Sequence, residues 1–479
     1  MVFSSMTFLF VFFPLVLVGY FGIFQKNTHR NLFLLIASLI FYAWGEPYYV
    51  ALMIVSICLN FRIGLMIDTA TDLTRKYTLA AGIFLNLFFL FLFKYEGFFV
   101  RQFNSLVEYR VPMRIESLNL PLPIGISFFT FQAISYLVDL YRKQAPVQKT
   151  VTGLGLYIAF FPQLIAGPIV QYSTIAQELE HRTIKYDEFT QGVKRFIQGL
   201  AKKMILANQL ALVVEESFSA TTPSVTFAWL GAIAFSLQIY YDFSGYSDMA
   251  IGMGLMFGFH FPENFNYSFI ANTITDFWRR HHMSLSRWFR DYVFFPLGGS
   301  RVSKPRMVLN LLVVWLLTGF WHGASYQFIA WGLFFFVLLS FEKTFDIPTR
   351  IKKTPLAIPY HVFTLIMIIF SMVLFGEYTF LSAADHIHSM LGLKPNAPMV
   401  DLSTIRILNN DGIVLLLGCI FATPVIERLS CAIRTKYQEN HLASSGYEHF
   451  CTAYHLVLFY VSVSYLVMGA HNPFLYFNF

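Results

Sequence analysis

The stretch "MTFLFVFFPLVLVGYFGIF" (Met6–Phe24) holds no charged side chain, and runs of this kind recur along the whole chain. The others are Leu32–Trp44, Leu79–Phe93, Gly153–Val170, Thr226–Gln238, Met307–Phe320, Phe328–Phe341, His361–Leu374, Ile413–Val425 and Ala453–Met468. Only 13% of the 479 residues are charged, against about 25% in a soluble domain, which places the chain in a bilayer. Runs spread over the whole length imply many spans rather than one anchor on a soluble domain. Several are shorter than the roughly 20 residues of a straight span, so about 10 to 13 transmembrane or re-entrant helices are expected, some tilted or broken. The expected class is an all-α integral membrane protein, with no internal repeat or long linker to divide it: a single domain over 1–479.

Basic residues orient the spans. The opening run lacks the basic flank of a cleavable signal and reads as a retained first span. Lys26 and Arg30 follow it, and Arg62, Arg75 and Lys76 come two spans later, which predicts an extracytoplasmic N-terminus. Arg428, Arg434 and Lys436 read as cytoplasmic, and the run Ala453–Met468 then carries the C-terminal tail back outside. The net charge of +7 suits cytoplasmic loops beside anionic membrane lipid and calls for no nucleic acid. Cys58, Cys419, Cys431 and Cys451 show no metal-binding spacing and read as small apolar residues.

Ionisable groups are costly at bilayer depth, so three polar stretches stand out. In "YYDFSGYSDMAIGMGLMFGF" (Tyr240–Phe259), Asp242 and Asp248 lie among aromatic, Ser and Gly residues. The expected structure is a tightly packed, partly broken helix whose acids cap helix ends or pair with arginines. Gly254 and Gly258 have the spacing of close helix contact. In "ITDFWRRHHMSLSRWFRDYVFFPLGGSR" (Ile274–Arg301), Thr275 or Asp276 can cap a helix that Gly298–Gly299 end. A helical projection puts Trp278, His282, Leu285 and Phe289 on one stripe, with Arg279, Arg280, Arg287 and Arg290 around the rest. That pattern predicts a basic amphipathic helix along the interface. His282, on the apolar side, is open to a packing role or a functional one. In "LLVVWLLTGFWHGASYQFIAWGLFF" (Leu311–Phe335), the single ionisable side chain is His322, suited either to a buried hydrogen bond or to proton transfer near neutral pH. Gly319 and Gly323 beside it leave room for a ligand or another helix.

"DFWRRHHMSLSRWFRDYVFFPLGG" followed by "LTGFWHGASYQFIAWG" resembles the signature of membrane-bound O-acyltransferases. "LPIGISFFTFQAISYLVDLYR" (Leu122–Arg142), "FFPQLIAGPI" (Phe160–Ile169) and "YYDFSGYSDMAIG" share the resemblance, which runs the length of the chain. It is strongest to the bacterial branch that acylates envelope polymers such as alginate, peptidoglycan and teichoic acid. The resemblance implies a helical funnel whose thin central layer is pierced by a tunnel, with an acyl donor arriving from the cytoplasm and an acceptor from outside. It makes His322, of the "WHG" element, the principal catalytic residue and His282 the second. The tryptophan that usually precedes the second histidine is His281 here; family frame and apolar stripe both favour His282. Trp278, Trp321 and Asp242 are expected to line or support the tunnel. No bound cofactor and no metal are implied, the acyl donor being a substrate, acetyl-CoA or an acyl-carrier thioester.

The terminal "PFLYFNF" resembles the F-x-Y-F-x-F end found in this branch. There the tyrosine is thought to accept the acyl group and pass it to a periplasmic transferase of the SGNH serine-esterase type, which acylates the exported polysaccharide. Tyr476 is the matching position, in an acyl-acceptor tail over 472–479, and an interfacial aromatic anchor is the competing reading. A neighbouring imidazole would remove the phenol proton as the oxygen attacks. The rivals are D-alanyl transfer to teichoic acid, direct acylation of the polymer, and a transporter or flippase for a lipid-linked sugar.

Overall fold

The computed structural model describes residues 1–107, 114–352, 354–377, 379–437 and 441–469. The tail 472–479 with Tyr476, and the side chain of Lys436, lie outside the described residues. All regular structure described is helical.

The chain opens with α1 (Phe8–Ile23), α2 (Asn27–Ala43), α3 (Tyr49–Thr69) and α4 (Asp72–Leu90). A π-helical turn at Phe91–Tyr95 prolongs α4 toward Val107. α5 (Ile126–Tyr141) and α6 (Val151–Ala159) follow, the second ending where Pro162 and Pro168 break the expected run Gly153–Val170. Next come α7 (Tyr186–Ala201), α8 (Asn208–Phe218) and α9 (Val225–Met256). The basic stretch forms two short helices, α10 (Ile274–Trp278) and α11 (Met283–Phe289). The chain then continues through α12 (Lys304–His322), α13 (Tyr326–Thr344), α14 (Ala357–Gly376), α15 (Phe380–Met390), α16 (Leu402–Phe421) and α17 (His441–Val467).

Six of these segments are long and apolar enough to cross a membrane: Tyr49–Thr69, Asp72–Val107, Tyr326–Thr344, Ala357–Gly376, Leu402–Phe421 and Ser445–Val467. Between 11% and 33% of each apolar window is buried, so most of its side chains face outward, where lipid lies. α5 is the opposite case. Every residue of it except Tyr141 is buried, as expected of a helix apolar all round and surrounded by others. The protein is therefore a multi-pass membrane protein with an inner set of helices.

α9 is the axis of that inner set, with α7, α8, α14, α15 and α16 packed against it. It runs unbroken through "YYDFSGYSDMAIG", where a partly broken helix was expected. The acids do not interrupt it because each is paired sideways. Asp242 meets Lys203 at 2.6 Å, while Asp248 meets Lys202 at 2.6 Å and Arg195 at 2.9 Å. The close helix contact also uses different glycines from those expected. Gly192 and Gly199 of α7 face Gly252 and Gly245 of α9; a Cβ on Gly252 would sit 2.5 Å from the Gly192 carbonyl oxygen. Gly258 instead takes a left-handed turn after α9, at φ +81°. Such contacts let backbones approach where lipid supplies no hydrophobic drive between helices.

Gly252→Ala therefore forces two backbones apart and is expected to cost about 1–3 kcal/mol, the range for overpacking. Gly412→Ala on α16, where a Cβ meets nothing within 4 Å, should be neutral or stabilising by up to about 1 kcal/mol. Thermal unfolding in detergent checks both; equal stability of the two variants would refute the close-contact account.

Candidate active site

His322 is the last residue of α12, because Gly323 leaves the helix in extended backbone. Gly319 lies against the Phe328 carbonyl and Gly332 of α13, and the Phe328 ring covers Gly323. The space beside these glycines thus belongs to a neighbouring helix, not to a ligand. The imidazole stands among aromatic edges: Trp321 at 4.9 Å, Trp331 at 5.0 Å and Phe375 at 5.1 Å between ring centroids.

The continuous amphipathic helix expected over Ile274–Arg301 is broken at residues 279–282. Thr273, not Thr275 or Asp276, caps α10, accepting from the Asp276 amide at 3.0 Å. His282 sits in the break with φ 46° and ψ 52°, so its place on the cavity does not come from a helical stripe. Left-handed backbone is uncommon for a residue with a Cβ, and Asn264 holds it there. The Asn264 carbonyl oxygen accepts from the Met283 amide at 2.9 Å, and Asn264 Oδ1 accepts from the Ser284 amide at 3.1 Å and Ser284 Oγ at 2.9 Å. His282 Nδ1 is 3.2 Å from the same Oδ1. A backbone N–H can only donate, so the shared Asn264 atom is the oxygen and His282 Nδ1 carries a proton. In the neutral ring, Nε2 is then a lone pair. Asn264 Nδ2 donates to Ser247 Oγ at 2.9 Å, tying this loop to α9.

Two cavities meet at His322. One, of about 50 Å³, is lined by Asp242, Phe243, Trp278, His281, His282, His322, Trp331 and Phe375 among others. Within it, His281 stacks on Phe277 with centroids 4.7 Å apart. Among the described residues, His281 Nδ1, His282 Nε2 and the Nε1 of Trp278 and Trp331 are buried without a hydrogen-bond partner. The other cavity, of about 80 Å³, is lined by Lys94, Pro123, Gly125, Ser127, Phe128, Trp321 and His322 among others. The structure thus gathers His322, His282, Trp278 and Asp242 at one cavity and puts Trp321 at the other, with His322 common to both. Buried polar atoms without partners inside an apolar cavity are what a ligand with polar groups would satisfy.

Sequence reasoning missed Lys94, Asn264 and Trp331. Lys94 had a signal, one cation directly after the run Leu79–Phe93. Asn264, in "FPENFNYSF", had none.

Residues 36–384 match the family described as "MBOAT, membrane-bound O-acyltransferase family". The probable alginate O-acetylase of Pseudomonas putida is 36% identical over 500 residues, covering 100% of both chains. That of Pseudomonas syringae is 43% identical over 355 residues, covering 73% of this chain and 68% of its own. The peptidoglycan O-acetyltransferase of Helicobacter pylori is 33% identical over 522 residues, covering 100% of this chain and 98% of its own. With the motif histidines gathered at one junction and a family match over most of its length, the chain belongs to the membrane-bound O-acyltransferases and is an acyltransferase.

Proposed function

We propose that the protein moves an acetyl group from a cytoplasmic thioester, acetyl-CoA or an acyl-carrier thioester, across the bacterial inner membrane for O-acetylation of an exported polysaccharide, alginate-like or peptidoglycan. Tyr476 takes the acetyl group first, and a periplasmic SGNH serine-esterase-type transferase passes it to the polymer. Both termini are extracytoplasmic in this reading. The observation that carries it is the position of His322 on two cavities at once: a donor in one and an acceptor in the other would both reach a single imidazole. The names of the relatives supply the polymer classes.

The chemistry follows from the residues. On this reading the donor carbonyl enters the histidine-lined cavity and an acceptor phenol, that of Tyr476, approaches through the lysine-lined one. His322 takes the phenol proton as the oxygen attacks, the carbon–sulfur bond breaks, and the imidazolium returns the proton to the leaving thiolate. His282, with its proton on Nδ1, offers Nε2 as an acceptor for an amide N–H of the thioester arm and so orients the donor. The unpartnered indole N–H groups of Trp278 and Trp331 are the donors at hand for the carbonyl oxygen as charge develops on it. Asp242, held by Lys203, supports the wall. The aryl ester on Tyr476 is more reactive than the final sugar ester, so the onward transfer runs downhill.

Intact-protein and peptide mass spectrometry after incubation with acetyl-CoA, or with acetylated carrier protein, tests the relay. An acetyl group on Tyr476, absent from His322→Ala and Tyr476→Phe, is the expected result. His322→Ala should lower transfer by at least about 10²-fold, the contribution of a general base; a folded, fully active His322→Ala protein would sink the mechanism. His322-dependent transfer to polymer that survives Tyr476→Phe would instead mean direct acylation.

Asn264→Ala removes the side-chain oxygen that holds the His282 ring and the Ser284 amide and hydroxyl, and leaves only the backbone bond to Met283. Loss of donor positioning of this kind should slow acetyl transfer by about 10- to 10²-fold and raise the concentration of donor needed for half-maximal rate. Initial rates against donor concentration check this, and an unchanged half-saturation value would remove Asn264 from the account.

A further inference from the structure

The lysine-lined cavity holds a cation that the mechanism above leaves without a task. Lys94 lies in the π-helical turn Phe91–Tyr95, a local widening of the helix that shifts the side-chain register and that recurs at functional sites. Its ammonium donates to the Trp321 carbonyl oxygen at 2.6 Å and to Ser127 Oγ at 3.3 Å, and stands 5.7 Å from the centre of the Trp321 ring. Among the described residues no carboxylate lies within ion-pair distance of it. Bonded only to neutral oxygens at this depth, the ammonium has no counter-ion among the described residues, so an oxygen that becomes anionic beside it supplies the missing charge, and one of its three N–H bonds remains for a ligand.

We propose that Lys94 is a catalytic residue of the acceptor half-reaction, its ammonium holding the oxygen of an aryl hydroxyl as that oxygen becomes a phenolate beside His322. The proposal rests on the acyl-tyrosine reading and narrows the acceptor class at this face to phenols. Three observations favour a phenol over a sugar hydroxyl. Apart from Lys94, Ser127, the base His322 and the indole of Trp321, the walls are apolar or backbone, with Leu122, Pro123, Ile124 and Phe128 prominent, which suits a ring and leaves most sugar hydroxyls unbonded. The volume of about 80 Å³ is well below the roughly 300–1,000 Å³ of ordinary ligand pockets, so a small ring enters but a polymer segment does not. The third is the pairing of base with cation: a phenol ionises near pH 10, close enough to neutrality that a fixed positive charge beside an imidazole brings its oxygen to readiness.

In the step, the acceptor O–H proton passes to the His322 imidazole, the oxygen–carbon bond to the acyl group forms, and the carbon–sulfur bond of the thioester breaks. The proton then leaves on the thiol. Lys94 keeps its protons throughout; it supplies charge, not acid.

The test uses full-length protein carrying Tyr476→Ala, acetyl-CoA as donor and a series of para-substituted phenols as acceptors, with aryl acetate measured by chromatography. Lys94→Gln should slow acetylation by about 10²-fold, as expected when one oxyanion donor is lost. The loss should grow as the phenol becomes less acidic, and Lys94→Arg should recover part of it. In protein with Tyr476 intact, Lys94→Gln should slow acetylation of Tyr476 to a similar degree. A rate that falls equally for all phenols would overturn the proposal, because Lys94 would then act only through the Trp321 carbonyl and the placement of His322. So would acetylation of Tyr476 at an unchanged rate, or His322-dependent transfer to alginate oligomers with no phenol accepted at all. His322→Ala is run alongside: activity that persists in it refutes the proposed function itself, whereas His322-dependent acetylation insensitive to Lys94 refutes only this inference.

Discussion

The rest of the structure depends on the contact between α7 and α9, two helices whose backbones touch through paired glycines. On either side of that contact lie the charges that make it specific. Asp242 pairs with Lys203, and Asp248 with Lys202 and Arg195, all on α7 or the π-helical turn that continues it. Removing one member of the fully buried Asp242–Lys203 pair costs about 3–5 kcal/mol, since the partner is left charged in a dry site. The glycines fix how near the helices lie, and the ion pairs fix the register in which they do so. α9 then presents Ile239, Asp242 and Phe243 to the histidine-lined cavity and Ser247 to Asn264. The geometry around His282 is in this sense a consequence of how α9 is held.

His282 shows how that rigidity is used. A non-glycine residue held in left-handed backbone carries about 1–3 kcal/mol of strain. The hydrogen bonds of Asn264 to Met283, Ser284 and His282 itself offset it. Ser284 Oγ also accepts from the Ile169 amide at 3.0 Å, so the loop after α6 is tied into the same knot. Strain sustained by so many converging bonds fixes a ring position that a continuous helix would not offer, together with a defined tautomer.

The parts of this arrangement legible in the sequence are those set by composition and by isolated charge. His322 was visible because a lone ionisable residue in an apolar run needs a reason, and Asp242 and Asp248 were visible on the same ground. Both acids were expected to cap helix ends or pair with arginines, and both do pair, though lysines take part beside Arg195. The break at residues 279–282 was hidden, because "DFWRRHHMSLSRW" contains neither Gly nor Pro and its apolar residues fit a helical period. What breaks it is a tertiary partner, Asn264, and a lone asparagine in an irregular segment gives no local sign of its targets. Continuity of α9 was misjudged for the complementary reason: its Ser, Gly and Asp residues weaken a helix in isolation, while packing and ion pairs supply what propensity does not. Lys94 carried a signal equal to that of His322, but at the end of a run a cation reads as an interfacial anchor.

A single imidazole on two cavities also bears on how such an enzyme can work across a membrane without being a channel. In the proposed function the donor is a charged, bulky thioester and the polymer is larger still; neither crosses hydrocarbon at a tolerable cost. Only an acetyl group, small and neutral, has to pass. In the proposed mechanism it does so by changing the atom it is bonded to, sulfur in one cavity and oxygen in the other, with His322 at the boundary. Cavities of about 50 and 80 Å³ are small beside an ordinary ligand pocket of roughly 300 Å³ or more. They suit reacting ends rather than whole substrates, and an aromatic cage around the junction keeps water from competing with the acceptor. On that mechanism the barrier to leakage and the site of chemistry are the same few side chains, and a histidine at the end of a helix locked by glycines against its neighbour suits both tasks better than one on a loop.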